Sequence, residues 1–281
     1  MLNIREHNAG FFSCVSVRLD TILNYYNENK KCPLKVDSSK LFNLYKINRN
    51  DDITNYLFET DDMDIPYDGN VTISKNNEEY QFTSYSLLNY NELKPFIDKY
   101  FKPTRVILDN KLNLINKYNI DVNNTCSVFF RGNDKARETN TPSYNDFIEK
   151  AQEIKQSNPN INFLLQTDEI EFCNAFKSCF PETIVFCEIP QIHKSDSSVQ
   201  YSLNGQPAFK ALMYYFASVL VMADTKYIIS TSGNGELWVQ LFRQNPNGLI
   251  QYLNRKEYIY GVKNKDYVEG DNNFWIIHSD K

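Results

Sequence analysis

Thr225-Lys-Tyr-Ile-Ile-Ser-Thr-Ser-Gly-Asn-Gly-Glu-Leu-Trp-Val-Gln-Leu-Phe242 is the stretch whose reading decides the fold. A short apolar run at 227–229 breaks into small polar residues and glycine, then into an apolar-periodic segment. That is the pattern of a buried strand, a tight turn and a helix. In open α/β sheets the crevice beyond the carboxyl ends of the strands binds ligands, and a helix N-terminus there offers N–H groups to an anion. Ser230, Thr231, Ser232, Gly233 and Asn234 are therefore expected to cradle a diphosphate, small residues admitting the backbone and hydroxyls adding donors. The spacing is not G-x-x-x-x-G-K-S/T, and no G-x-G-x-x-G follows an N-terminal strand, which argues against ATPase and dehydrogenase chemistry.

Working outward, the second half alternates in the βαβ manner. Strands are predicted at 127–130, 161–165 and 183–186, helices at 143–156 and 170–180, a linker at 190–206, a long apolar helix at 207–223, and a last strand at 249–252. This alternation implies a parallel sheet covered on both faces with right-handed crossovers. The first half is less regular. A Gly10 turn, Ser13 as N-cap and helical apolar spacing through Tyr26 predict a first helix, with a short strand near 34–36. Residues 37–90 are rich in Asp and Asn; Asp61-Asp62-Met63-Asp64 is read as solvated loop, and Tyr80-Gln-Phe-Thr83 alternates like a strand. Phe96, Ile97, Tyr100 and Phe101 share a helical face, and Pro103 opens a second helix to about Tyr118. A boundary near 115–124 gives an α/β unit at 1–120 and a parallel-sheet unit at 121–255, followed by residues 256–281.

With 281 residues, 42% of them hydrophobic and 14% aromatic, the chain can bury a sizeable core. A net charge of -5 argues against a general nucleic-acid binder. Six cysteines, Cys14, Cys32, Cys126, Cys173, Cys179 and Cys187, form no C-x-x-C and are expected as reduced core residues, with no metal site. No signal-peptide pattern opens the chain and no apolar run approaches the ~18 residues of a membrane span, so the expectation is a soluble, cytoplasmic protein.

Sheet logic places functional groups just after the strands. Arg131, next to Gly132, either reaches into the crevice to pair with phosphate oxygens or makes a surface ion pair with Asp134. Asp134 is placed to orient Arg131 or Lys135, and Glu138 to accept a proton from an incoming hydroxyl. In Gln166-Thr167-Asp168-Glu169, Thr167 or Asp168 caps the following helix, or Asp168 enters the crevice to hold the loop or bind donor hydroxyls. The N-terminal turn with Gly10 and Phe11 either faces the same cleft or is an ordinary turn. His193, in the linker, is the histidine nearest the expected cleft.

In this order the motifs resemble the fucosyltransferase superfamily of the GT-B fold, most closely its α1,6-fucosyltransferase and protein O-fucosyltransferase branches. Arg131-Gly-Asn-Asp-Lys135 is similar to the family's Arg-Arg-Thr-Asp-Lys or Arg-x-Gly-Asp motif, and Thr167-Asp-Glu169 to its Thr-Asp-Asp or Thr-Asp-Glu stretch. The 207–223 helix followed by Tyr-Ile-Ile-Ser-Thr-Ser-Gly-Asn resembles its donor loop, Tyr100-Phe-Lys-Pro-Thr104 its lead-in, and Gly10-Phe-Phe-Ser-Cys14 its N-terminal Gly-Phe-Gly loop.

The resemblance implies an α/β, GT-B-like fold of two Rossmann-like domains, the N-terminal one reduced and facing the acceptor, with a tail that packs back on it. It implies GDP-fucose as donor, a glycan or glycoprotein acceptor, no cofactor or metal, and inverting displacement with Arg131 on the leaving diphosphate and Glu138 as base. It also marks two departures. Phe129 stands where the family has a nucleotide-touching histidine, and Ser218 where the α1,6 branch has its guanine-reading acid.

Overall fold

The computed structural model describes residues 1–62, 64–65, 67–76, 80–203, 205–253, 258–259, 262–263 and 275–278. The first helix, α1 (Phe11–Asn29), is capped by Gly10 with no side-chain bond. Ser13 does not cap it, because its hydroxyl instead meets His7 Nε2 at 2.9 Å. Strands here are two residues long: β1 (Leu2–Asn3) runs parallel to β2 (Val36–Asp37), and β3 (Phe58–Glu59) antiparallel to β4 (Lys102–Pro103). One-turn α2 (Thr54–Leu57) precedes α3 (Tyr90–Tyr100) and α4 (Arg105–Lys117). Residues Tyr80–Phe82, expected to be extended, form a 3₁₀ turn.

The second half follows the predicted alternation. Six-residue β5 (Thr125–Phe130) leads through α5 (Tyr144–Ser157) to β6 (Asn162–Thr167), α6 (Ile170–Cys179) and β7 (Ile184–Val185). Then come α7 (Gln206–Asp224), β8 (Tyr227–Ser230), α8 (Asn234–Arg243) and β9 (Leu249–Tyr252). Ser143 starts α5 with a capping box, its hydroxyl accepting from the Asp146 N–H while Asp146 accepts from the Ser143 N–H. A two-residue hairpin, β10 (Tyr258–Ile259) with β11 (Val262–Lys263), precedes β12 (Trp275–His278).

The sheet order is β12-β9-β8-β5-β6-β7, parallel except for β12. Chain order therefore runs outward from β5 to β7 on one side and from β8 to β9 on the other. The reversal lies between β5 and β8, where neighbouring carboxyl ends diverge and leave a crevice. The tail expected on the first half behaves differently: Trp275–His278 become the edge strand of this sheet, paired antiparallel with β9.

Side-chain alternation divides the sheet into two faces. Cys126, Val128 and Phe130 of β5 pack with Phe147 and Ala151 of α5 and Phe172 and Phe176 of α6. Phe129 of β5 and Leu164 of β6 pack on the opposite face with α7, α8 and the first half. That cluster is continuous from Ile4 to Leu249, and α1, α3 and α4 lie directly on α7 and α8. Among the described residues the first half has only two-residue strands joined in pairs, β1 with β2 and β3 with β4, which differs from the expected pair of Rossmann-like domains. With its Asp- and Asn-rich stretch it supplies few apolar runs of strand length, so it covers the second half as a helical layer.

Candidate functional site

Because Phe129 faces α7, Arg131 two residues later faces the same side, and by the same parity Gln166 and Asp168 follow Leu164. Arg131 Nε donates to Asp168 Oδ2 at 3.0 Å and Arg131 Nη2 to Asp134 Oδ1 at 3.1 Å, with about 30% of its side chain exposed. The guanidinium makes the ion pair with Asp134 and also lines a pocket. Burial works against its charge, but the carboxylates of Asp168 and then Asp134 outweigh it, holding its pKa above the ordinary arginine value. These two bonds use two of the five N–H groups of the guanidinium fork.

Asp168 and Glu169 clamp the loop after β5. Asp168 Oδ1 accepts from the Gly132 N–H at 3.1 Å, and Glu169 Oε1 from the Asn133 N–H at 2.8 Å. Tyr144 donates to Glu169 Oε2 at 2.6 Å. A Cβ on Gly132 would lie 2.1 Å from Glu169 Oε1, so the clamp requires glycine there. Asn133, left-handed at φ 42, donates through Nδ2 to the Asp168 carbonyl and accepts the Ser195 N–H, tying in the linker. Asp168 thus holds the loop, whereas the N-cap of α6 is Glu169, which makes no side-chain capping bond.

The pocket lies between Arg131, Asp168, Gln166 and Phe129 on one wall and Ala208, Leu212 and Tyr215 of α7 on the other. Ile189, Val199, Gln200 and Leu203 of the linker region also line it. From the first half comes Tyr45, whose hydroxyl accepts the Phe11 N–H at 3.0 Å. Phe11 itself is core, against Phe12, Phe42 and Phe216, so it supports the pocket rather than facing it. Gly10 approaches the lining residue Gln200, whose Nε2 would lie 3.6 Å from an added Cβ. Burial pushes the Tyr45 and Tyr215 phenols upward, more than Arg131 draws them down, so both stay protonated donors at neutral pH.

The opening stretch departs from expectation. Ser230, Thr231 and Ser232 are buried and none lines the pocket. Thr231 donates to Glu236 Oε1 at 2.8 Å, and Ser232 donates to the Tyr252 carbonyl while accepting from Gln251. Tyr85 bonds both the N–H and the carbonyl of Gly233, and Tyr80 donates to Asn234 Oδ1 at 2.5 Å. A buried carboxyl group, Glu236, already occupies the first turn of α8, where the helix favours an anion. The expected diphosphate cradle is thus internally filled and roofed.

Glu138 is 56% exposed, accepts from Lys135 Nζ at 2.8 Å, and does not line the pocket. Lys135 is largely covered, its Cε 3.9 Å from where a Gly233 Cβ would stand, so it bridges the two loops. His193 is exposed and paired with Glu171 rather than turned to the cleft. Tyr85 is fully buried and Trp275 packs on Tyr252 and Phe147, so neither ring face is open to a sugar. Among the described residues no group of three His, Cys, Asp or Glu could hold a metal, and no helix is long and apolar enough to cross a membrane.

Sequence reasoning missed Tyr45, Tyr215, Gln166 and Glu236. The first two carry no local signal. Glu236 carried one, an acidic residue in the first turn of a helix, and Gln166 two, a polar residue on the inward face of a buried strand and its place beside Asp168.

A doubly wound, mostly parallel sheet with a pocket at the carboxyl ends of β5 and β6 places the chain in the Rossmann-like α/β class. No family model and no curated protein matches it. Among solved structures it is similar to NodZ α-1,6-fucosyltransferase co-crystallised with GDP, at TM-score 0.39 and 12% identity. The same enzyme soaked with GDP-fucose gives 0.37 and 12%, and fucosyltransferase NodZ from Bradyrhizobium 0.36 and 12%. Each match covers 54% of this chain and 45% of the other, so the chain spans less than half the length of these structures.

Proposed function

We propose that the chain is a glycosyltransferase that binds a nucleoside-diphosphate sugar beside Arg131 and transfers the sugar, with inversion and without a metal, to a glycan or protein hydroxyl. One observation carries this: in the pocket at the carboxyl ends of β5 and β6, two carboxylates fix a guanidinium whose remaining N–H groups meet no partner among the described residues. GDP-fucose is the donor that the motif order implies.

As the acceptor oxygen bonds to the anomeric carbon, the bond from that carbon to the diphosphate breaks and the pair of electrons leaves with the phosphate. A guanidinium already oriented by Asp168 and Asp134 stabilises that growing charge without reorganising. Lys135 now holds Glu138; donor phosphate would draw Lys135 away and free the carboxylate to take the acceptor proton.

A non-catalytic binder is the second reading, favoured by the position of Glu138 outside the pocket lining. Incubation with GDP-fucose and a hydroxyl acceptor, read as GDP release beside a thermal-shift measurement, separates the two. Transfer gives both a shift and release; a binder gives a shift alone; neither signal overturns both readings.

A further inference from the structure

Gln166 is 7% exposed, and its side chain lines the pocket. Ser218 Oγ, on α7, donates to the Tyr215 carbonyl at 2.8 Å and shares that proton with Gln166 Oε1 at 3.4 Å. The carbonyl end of the amide is thus turned toward the helix, and Nε2 has no acceptor among the described residues. Because Gln166 lines the pocket, that donor is available to a ligand or water seated there. Gln166 also lies lateral to Phe129 in the ladder, one inward-facing position below Arg131 and Asp168. That is about 7 Å along the strands, so a group seated on Gln166 lies deeper than a phosphate at Arg131.

We propose that Gln166 reads the nucleobase, with its Nε2 donating to a ring carbonyl and Ser218 holding the amide in that sense. The assignment rests on the sugar-nucleotide reading of the pocket. Phe129, Ala208, Leu212 and Leu203 supply apolar walls for a planar ring, and the Tyr45 and Tyr215 hydroxyls are further donors. A fixed donor accepts bases with an oxo group at the contact, guanine and uracil. Seated at purine C6 or pyrimidine C4, it meets an amino group, a donor, in adenine and cytosine and leaves both unpaired. Selection between oxo and amino bases thus falls to a residue outside the Arg131 and Asp168 motifs.

Binding of GDP, UDP, ADP, CDP and inorganic pyrophosphate, measured by calorimetry on the whole chain, tests this. The expected result is GDP and UDP tighter than ADP and CDP by about tenfold, the worth of one neutral hydrogen bond. In Gln166→Ala that gap closes while pyrophosphate affinity stays unchanged; Gln166→Met, which keeps the volume, should do the same if the alanine variant folds poorly. Ser218→Ala should narrow the gap by freeing the amide to turn. Equal binding of all four nucleotides by the wild type, tighter ADP or CDP, or a gap that survives in both Gln166 variants overturns the base assignment alone. If neither nucleotides nor pyrophosphate bind, the sugar-nucleotide reading falls and the base assignment with it.

Discussion

The two loops that flank the switch point are built from similar residue types and end differently. After β5, Arg131-Gly132-Asn133-Asp134 is held from outside by Asp168 and Glu169, and its guanidinium stays at the pocket. After β8, Thr231-Ser232-Gly233-Asn234 is bonded from within by Glu236, Gln251, Tyr85 and Tyr80. A run of small polar residues before a helix becomes an anion site only if its donors are left free. Whether they are is decided by residues far away in sequence.

The comparison breaks most visibly at Arg131. If the open loop carries the chemistry, Arg131→Ala should lower diphosphate release by about 10²-fold or more while the protein stays folded. Wild-type turnover in that variant would remove the open loop from the reaction. Glu236→Ala should do the converse, lowering unfolding free energy by roughly 2 kcal/mol, the scale of a hydrogen bond to a charged group, with little change in pyrophosphate affinity. Chemical denaturation beside calorimetry reads both; a large gain in pyrophosphate affinity would mean that the buried loop is a masked anion site.

The smallest expected effect is in pH. Burial holds His278, bonded to Gln251 behind the closed loop, below its ordinary pKa of 6.5. The unfolded chain then binds more protons than the folded one in the interval below 6.5, so stability is complete above that pH and declines as pH falls through the interval. His7, lowered mainly by burial, contributes in the same direction. Melting temperatures between pH 7 and pH 5 should fall, and His278→Asn should flatten part of the slope; an unchanged slope would uncouple His278 from the stability of this side.

Legibility in the sequence followed the length of the elements. The second half was readable because β5 and β6 are six residues long and their helices carry whole turns of periodicity. The first half was not, because two-residue strands and three-residue 3₁₀ turns have no period to detect. Tyr80-Gln-Phe-Thr83 alternates over too short a run to separate a strand from the turn that roofs Gly233 and Asn234. At the site, Arg131 and Asp168 could be found because they follow strands directly, and the fate of the 230–234 loop could not. Its closure depends on Tyr85, which reaches it from 148 positions away in the chain.

The antiparallel strand β12 has a bearing on self-association. All four residues of β9 are buried, and β12 takes up its outer row of backbone groups through Trp275–His278. A chain shortened before Trp275 would present that row of unpaired backbone groups to solvent as a template for another molecule's strand. The last four residues of the sheet thus guard an edge that would otherwise be open to another chain.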